Sequence, residues 1–156
     1  MQSVEYYRSR ARELFLSGYN CSQAVVMAFT DILNIDEKTA LLIASPFGGG
    51  LSRLREVCGT VVGMSMAAGL LFGYCEPKAY EEKARLYADI QTLAARFKEK
   101  NGSYICRELL SGVEHTDGGA PERRTEEYYK KRPCPELCAD AAGILAEFLI
   151  EKNGGQ

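Results

Sequence analysis

The chain has 156 residues, 46% hydrophobic and 26% charged, a balance ordinary for a globular protein long enough to bury a core without disulfides. A formal net charge of -2, a pI near 5.6 and the lack of any basic run give no reason to expect nucleic acid or anionic lipid as a partner. The N-terminus MQSVEYYRSRARELF has no signal-peptide pattern, so the expected location is the cytoplasm, where six cysteines point to redox or metal chemistry before structural disulfides.

Helical periodicity runs through the chain and strand signals are nearly absent. Val4, Tyr7, Ala11, Leu14 and Phe15 make one apolar face, ended by Ser17-Gly18. Asn20 is placed to cap a second helix with Cys21, Ala24, Val25, Ala28, Phe29 and Ile32 on its face, and Asp36 a third through Thr39, Leu42 and Ile43. SPFGGG, Ser45 to Gly50, reads as a loop, because three consecutive glycines disfavour regular helix. A fourth helix follows over about residues 57–73. Glu76-Pro77 then reads as the start of a fifth, which uses Tyr80, Ala84, Tyr87, Ile90, Ala94 and Phe97 and ends at Asn101-Gly102.

Ser103 is expected to cap a short helix over SYICRELL. The polar, glycine-rich segment from Ser111 to about Pro121 reads as an exposed loop, followed by a short charged helix around Thr125 to Lys131. CPELCADAAGILAEFLIEK, with Pro135 just inside its start, closes the chain as an amphipathic helix. The expected fold is all-α, one domain over residues 1–156, a bundle of about five main helices around a central apolar helix.

That central segment, EVCGTVVGMSMAAGLLFGYCE, has no charge between Glu56 and Glu76 and approaches the length of a membrane span. Among amphipathic neighbours it reads instead as a buried helix covered on all sides. Gly59 and Gly63, and again Gly69 and Gly73, have the spacing that lets another helix approach its backbone.

The cysteines fall in a pattern on this map. Cys21 follows a cap, Cys58 lies in the first turn of the central helix, Cys106 comes just after Ser103, and Cys134 stands at the N-cap of the last helix. A helix N-terminus offers unpaired amide N–H groups and partial positive charge, which favour thiolate, the nucleophile and the metal ligand. Cys138 lies one turn beyond Cys134 on the same face, at a separation that permits a disulfide without requiring one. Cys75, at the opposite end of the central helix, reads as structural. The single histidine, His115, sits in the loop VEHTDGG and reads as solvent-exposed. FGGGLSR lacks the GxxxxGK[ST] pattern of a phosphate loop, leaving backbone flexibility and the charges of Arg53 or Arg55 as its contribution to Cys58.

YNCSQAV, FGGG, VCGTVVG, CRELL and CPELCADAAGIL, in that order, resemble the C-GCAxxG-C-C family, small proteins assigned redox activity from their cysteines. The resemblance spans nearly the whole chain and places the family's four signature cysteines on Cys21, Cys58, Cys106 and Cys134. One position departs from the motif: its alanine is Thr60 here, a hydroxyl able to donate to a thiolate or to bond the helix backbone. A similar arrangement occurs in an iron–sulfur domain of certain multihaem cytochromes, although this chain has no CxxCH haem motif.

Three readings follow. The first is a thiol–disulfide or electron-transfer protein, an oxidoreductase in broad terms. Cys58 is its most reactive thiol, Cys21, Cys106 or Cys134 its partner, and a redox protein or small thiol/disulfide its substrate. The second is an iron–sulfur or other metal site on Cys21, Cys58, Cys106 and Cys134, with Cys138 a further donor. The third is a helical structural module, such as a homo-oligomer, with inert buried thiols.

Overall fold

The computed structural model describes residues 1–155. Side-chain caps from adjacent sequence account for four of the helix starts. In α1 (Val4–Leu16) the Ser3 hydroxyl accepts the Tyr6 N–H, and the four-residue spacing of Tyr7, Ala11 and Phe15 buries one face. In α2 (Cys21–Ala28) Asn20 and Gln23 form a reciprocal capping box. Asp36 caps α3 (Glu37–Ala44) by accepting the Thr39 N–H at 2.9 Å. Then follow α4 (Gly59–Phe72), α5 (Tyr80–Asn101), α6 (Cys106–Leu109), α7 (Glu126–Lys131, capped by Thr125) and α8 (Cys134–Gly154).

The all-α class is as expected. Among the described residues the only β-pairing is an isolated antiparallel bridge, Val57 to Ile105. No helix among them is long and apolar enough to cross a membrane.

One hydrophobic core joins α1, α2, α4 and α8, with Leu93 and Phe97 of α5 reaching in. α8 lies along α1, and its buried face of Cys138, Ala141, Ala142 and Leu145 is mostly small, which lets the two axes come close. A half-buried Arg8 and an exposed Lys100 both pair with the buried Asp140, at 3.0 and 2.9 Å.

Gly59 and Gly63 do what their spacing suggests, since a Cβ at Gly63 would lie 2.6 Å from the Ser22 carbonyl oxygen of α2. The second glycine pair does not: Gly69 has open space around it, and Gly73 is the C-cap of α4.

Three expectations need correction. α5 begins at Tyr80 and not at Pro77, so its first turn has no side-chain cap. α4 is not covered on all sides: Val62, Ser65 and Met66 are half-buried and Leu70 is 49% exposed, whereas every residue of α2 except Gln23 is buried. α2 is enclosed because it touches α1, α3, α4 and α8 together. Cys75 is exposed, so it fills no core position.

Candidate functional site: four cysteines on one cavity

Cys21, Cys58, Cys106 and Cys134 all line a single cavity of about 360 Å³. Each enters it from the start of a different helix. Cys21, Cys106 and Cys134 are the first residues of α2, α6 and α8, and Cys58 is the N-cap of α4. Cys134 was expected one position earlier, as an N-cap, a place taken by Pro133. Ser103 does not cap α6; its hydroxyl accepts the Ile105 N–H at 2.9 Å and donates to Glu108, bracing the turn before Cys106.

Backbone pairing fixes two of the thiols together. The Cys58 N–H donates to Tyr104 O at 2.8 Å and the Cys106 N–H to Glu56 O at 2.6 Å, on either side of the bridge between Val57 and Ile105. Two segments far apart in sequence thereby hold Cys58 and Cys106 on one wall.

The glycine segment is more ordered than a loop. After a 3-10 turn over Ser45–Phe47, the backbone runs left-handed through Gly49, Gly50, Leu51, Ser52 and Arg53, and again at Arg55. Each non-glycine residue there costs about 1–2 kcal/mol, so the conformation has to be held from outside.

Arg53 Nε donates to Gly118 O at 2.8 Å and its Nη2 to Thr116 Oγ1 at 2.6 Å. Arg55 is 3% exposed and donates to Thr116 O from both Nε and Nη2. The segment from Ser111 to Pro121 is therefore strapped across the turn at Thr116 and Gly118, and its Gly119 and Pro121 line the cavity. Arg55 Nη1 stands 3.8 Å from Cys106 Sγ, and a Cβ on Gly50 would lie 2.6 Å from Cys106 Cβ.

Cys21, Cys58 and Cys134 sit in a setting that opposes ionisation. Burial pushes Cys21 up, against hydrogen bonds from the Gly49 and Ser22 backbone N–H groups. Burial likewise pushes Cys58 up, with the charge of Cys21 adding to it and the Thr60 hydroxyl opposing it from 3.1 Å. The Thr60 hydroxyl therefore serves the Cys58 sulfur. Cys134 is pushed up to about 12, again by burial first and Cys21 second.

For Cys21, Cys58 and Cys134 the expectation that a helix N-terminus favours thiolate is corrected here. Desolvation inside the cluster outweighs the amide N–H groups and arginines that pull the other way. The charge of Cys21 adds to the upward push on Cys58, Cys134 and Cys138. Cys138 is fully buried behind it, its Sγ 3.9 Å from Cys21 O, and is absent from the cavity wall.

The other sequence candidates separate from this site. Cys75 is exposed and off the cavity. His115 is half-buried, bonds Val113 O through Nδ1 at 2.7 Å, and does not line the cavity. Arg124, Arg132, Glu122 and Tyr128 do line it, and nothing in PERRTEEYYKKR distinguishes them from an exposed charged helix.

A family model described as "Putative redox-active protein (C_GCAxxG_C_C)" matches residues 19–148. The chain belongs to this family. Searches of curated proteins and of solved structures returned no match. The four cysteines that the sequence resemblance singles out all line the cavity.

The arrangement also bears on metal binding. Among the described residues no group of three or more Cys, His, Asp or Glu side chains converges closely enough to hold a metal ion. A single ion does not fit the thiols as they stand. Four cysteine donors spaced around a cavity do match the donor set of an iron–sulfur cluster.

Proposed function

We propose that this chain is a cysteine-based redox protein that exchanges thiols with a disulfide through Cys21, Cys58, Cys106 and Cys134. The observation that supports it is the meeting of four cysteines, from four separate segments, on one cavity open to small molecules. Packing alone would not require them to share a wall.

The roles follow from access. Cys134 is half-buried whereas Cys58 is 5% exposed, and since burial raises both thiols, access alone separates them. Cys134, and not Cys58, is therefore the thiol that meets the substrate. Its thiolate attacks one sulfur of the disulfide, the S–S bond breaks, and the first half leaves as a thiolate. Cys21, deprotonated in turn, attacks Cys134 Sγ, closes a protein disulfide and expels the second half. The two thiol protons end on the two departing sulfurs, and two electrons pass from protein to substrate. Cys58 and Cys106 stand next to this pair and can take the disulfide onward by the same exchange.

The second reading is an iron–sulfur cluster, favoured by the four-thiol donor set. Cys21, Cys58, Cys106 and Cys134 would hold it, and it would supply one-electron transfer.

Anaerobic purification followed by an absorption spectrum, iron and sulfide analysis and thiol counting separates the readings. Colourless, iron-free protein that reversibly loses two titratable thiols to a small disulfide supports thiol exchange, and that loss should vanish in Cys134→Ser. A visible sulfur-to-iron band with bound iron and sulfide would replace it with the cluster. Thiols that neither exchange nor take up iron on reconstitution would leave them as packing groups.

A further inference from the structure

The cavity that holds the thiols is also lined by four arginines, Arg53, Arg55, Arg124 and Arg132, and Glu122 is the one carboxylate among its lining residues. Glu122 is shared, pairing with Arg132 and, at 3.6 Å, with Arg53. Arg55 has Asp117 at 3.9 Å, a long contact to an exposed side chain. Four guanidinium groups thus face two carboxylates.

Arg124 is the uncompensated one: among the described residues no carboxylate lies within 4.0 Å of it. Its Nη1 donates to Phe15 O at 3.0 Å and its Nη2 to Tyr19 O at 3.1 Å, and its guanidinium stacks 4.1 Å above the Phe15 ring. Backbone carbonyls and an aromatic face fix its direction without neutralising its charge. A guanidinium held rigid at a cavity wall, with N–H groups to spare, is built for carboxylate or a like anion. Arg132 adds a second, nearly buried guanidinium beside the half-buried Cys134.

We infer that the cavity binds a small carboxylate-bearing organic anion, with Arg124 as its anchor and Arg132 beside it. This rests on the thiol-exchange reading only in naming the natural ligand: there the anion is a carboxylate-bearing disulfide, its S–S bond presented to Cys134. The reaction balances as two protein thiols plus one disulfide giving one protein disulfide plus two anionic thiols, with the protein as the reductant. A cavity of about 360 Å³ sets the ligand at the small end of small-molecule sites and excludes a folded protein partner from direct entry.

Binding is tested apart from redox chemistry with 3,3′-thiodipropionate, a dicarboxylate thioether that thiols do not attack, titrated calorimetrically into the fully reduced protein. A single site is expected, weakening as salt is raised. Arg124→Gln should lower its affinity roughly tenfold or more, the value of a charge-assisted hydrogen bond. Glu122→Gln should raise it, because Arg53 and Arg132 lose the carboxylate they share. That gain keeps the test decisive even if Arg124→Gln fails to fold. No binding by the wild-type chain, or equal binding by a folded Arg124→Gln, overturns the inference.

The redox reading is read out separately with three size-matched disulfides: dianionic dithiodipropionate, neutral hydroxyethyl disulfide and dicationic cystamine. With each rate divided by that of the unfolded chain, the dianion should lead cystamine by roughly tenfold or more. Equal normalised rates overturn the anion preference. Thiols that react with none of the three overturn thiol exchange, while the calorimetric result stands on its own.

Discussion

Replacing Gly59 with alanine tests how α2 and α4 bring Cys21 and Cys58 together. A Cβ at Gly59 would lie 2.6 Å from the Phe47 carbonyl oxygen and closer still to Cys21 Sγ. Such contacts relax only near 3.5 Å, so α2 and the glycine turn would have to withdraw by about 1 Å. The Phe47 oxygen is backbone, and Cys21 Sγ could move only by turning a single torsion within a buried side chain. Overpacking of this kind costs about 1–3 kcal/mol, and the helix propensity regained, at most about 1 kcal/mol, is small at the first helical residue.

For a chain of this length each kcal/mol moves Tm by about 2–4 °C, so Gly59→Ala should melt roughly 2–10 °C lower. Gly69→Ala is the control in the same helix. Nothing lies within 4 Å of a Cβ there, so the gain in propensity should raise Tm by roughly 2–4 °C. Thermal unfolding followed by circular dichroism under reducing conditions measures both. A Gly59→Ala protein that melts at or above wild type would refute the claim that this glycine sets the helix separation.

Further outcomes follow from the same geometry. Thr60→Val removes the hydroxyl 3.1 Å from Cys58 Sγ, so Cys58 becomes harder to ionise and its alkylation at pH 10, followed by mass spectrometry, should slow about fivefold. With Cys134 pushed up to about 12, its alkylation should climb about tenfold per pH unit from pH 7 to beyond 10; a plateau near pH 8.5 would contradict the burial described. The same shift fixes a sign for stability. The unfolded chain releases the Cys134 proton near pH 8.5 and the folded chain only near 12, so stability is full below that window and falls as pH rises through it, as alkaline denaturation curves would show. Arg55→Ala removes two hydrogen bonds to Thr116 O and the contact with Cys106, so limited proteolysis between residues 111 and 124 should quicken several-fold; unchanged cutting would mean that Arg55 does not hold that segment down.

How much was legible follows a physical divide. Helix starts written in adjacent residues, such as those capped by Asn20 and Asp36, could be read directly, because a cap needs only neighbours three residues away. The buried face of α1 was legible from its own periodicity, whereas α8, expected to be amphipathic, is buried all round over residues 137–146 because other helices pack against it. Pro77 misled because a proline suits a first helical turn but does not compel one. Cys75 misled because a residue beyond a helix end has no periodicity to reveal whether anything covers it.

By itself, then, the sequence determined the all-α class, the family, and the placing of Cys21, Cys58, Cys106 and Cys134 at or beside helix starts. Only the tertiary structure decided that these four share one cavity, since the bridge at Val57 and Ile105 and the glycine contacts of α4 with α2 join segments distant in the chain. It also decided the electrostatics. A helix end draws a thiol towards thiolate through local dipoles, but desolvation and the charges of the other thiols depend on everything packed around it. For Cys21, Cys58 and Cys134 those non-local terms win.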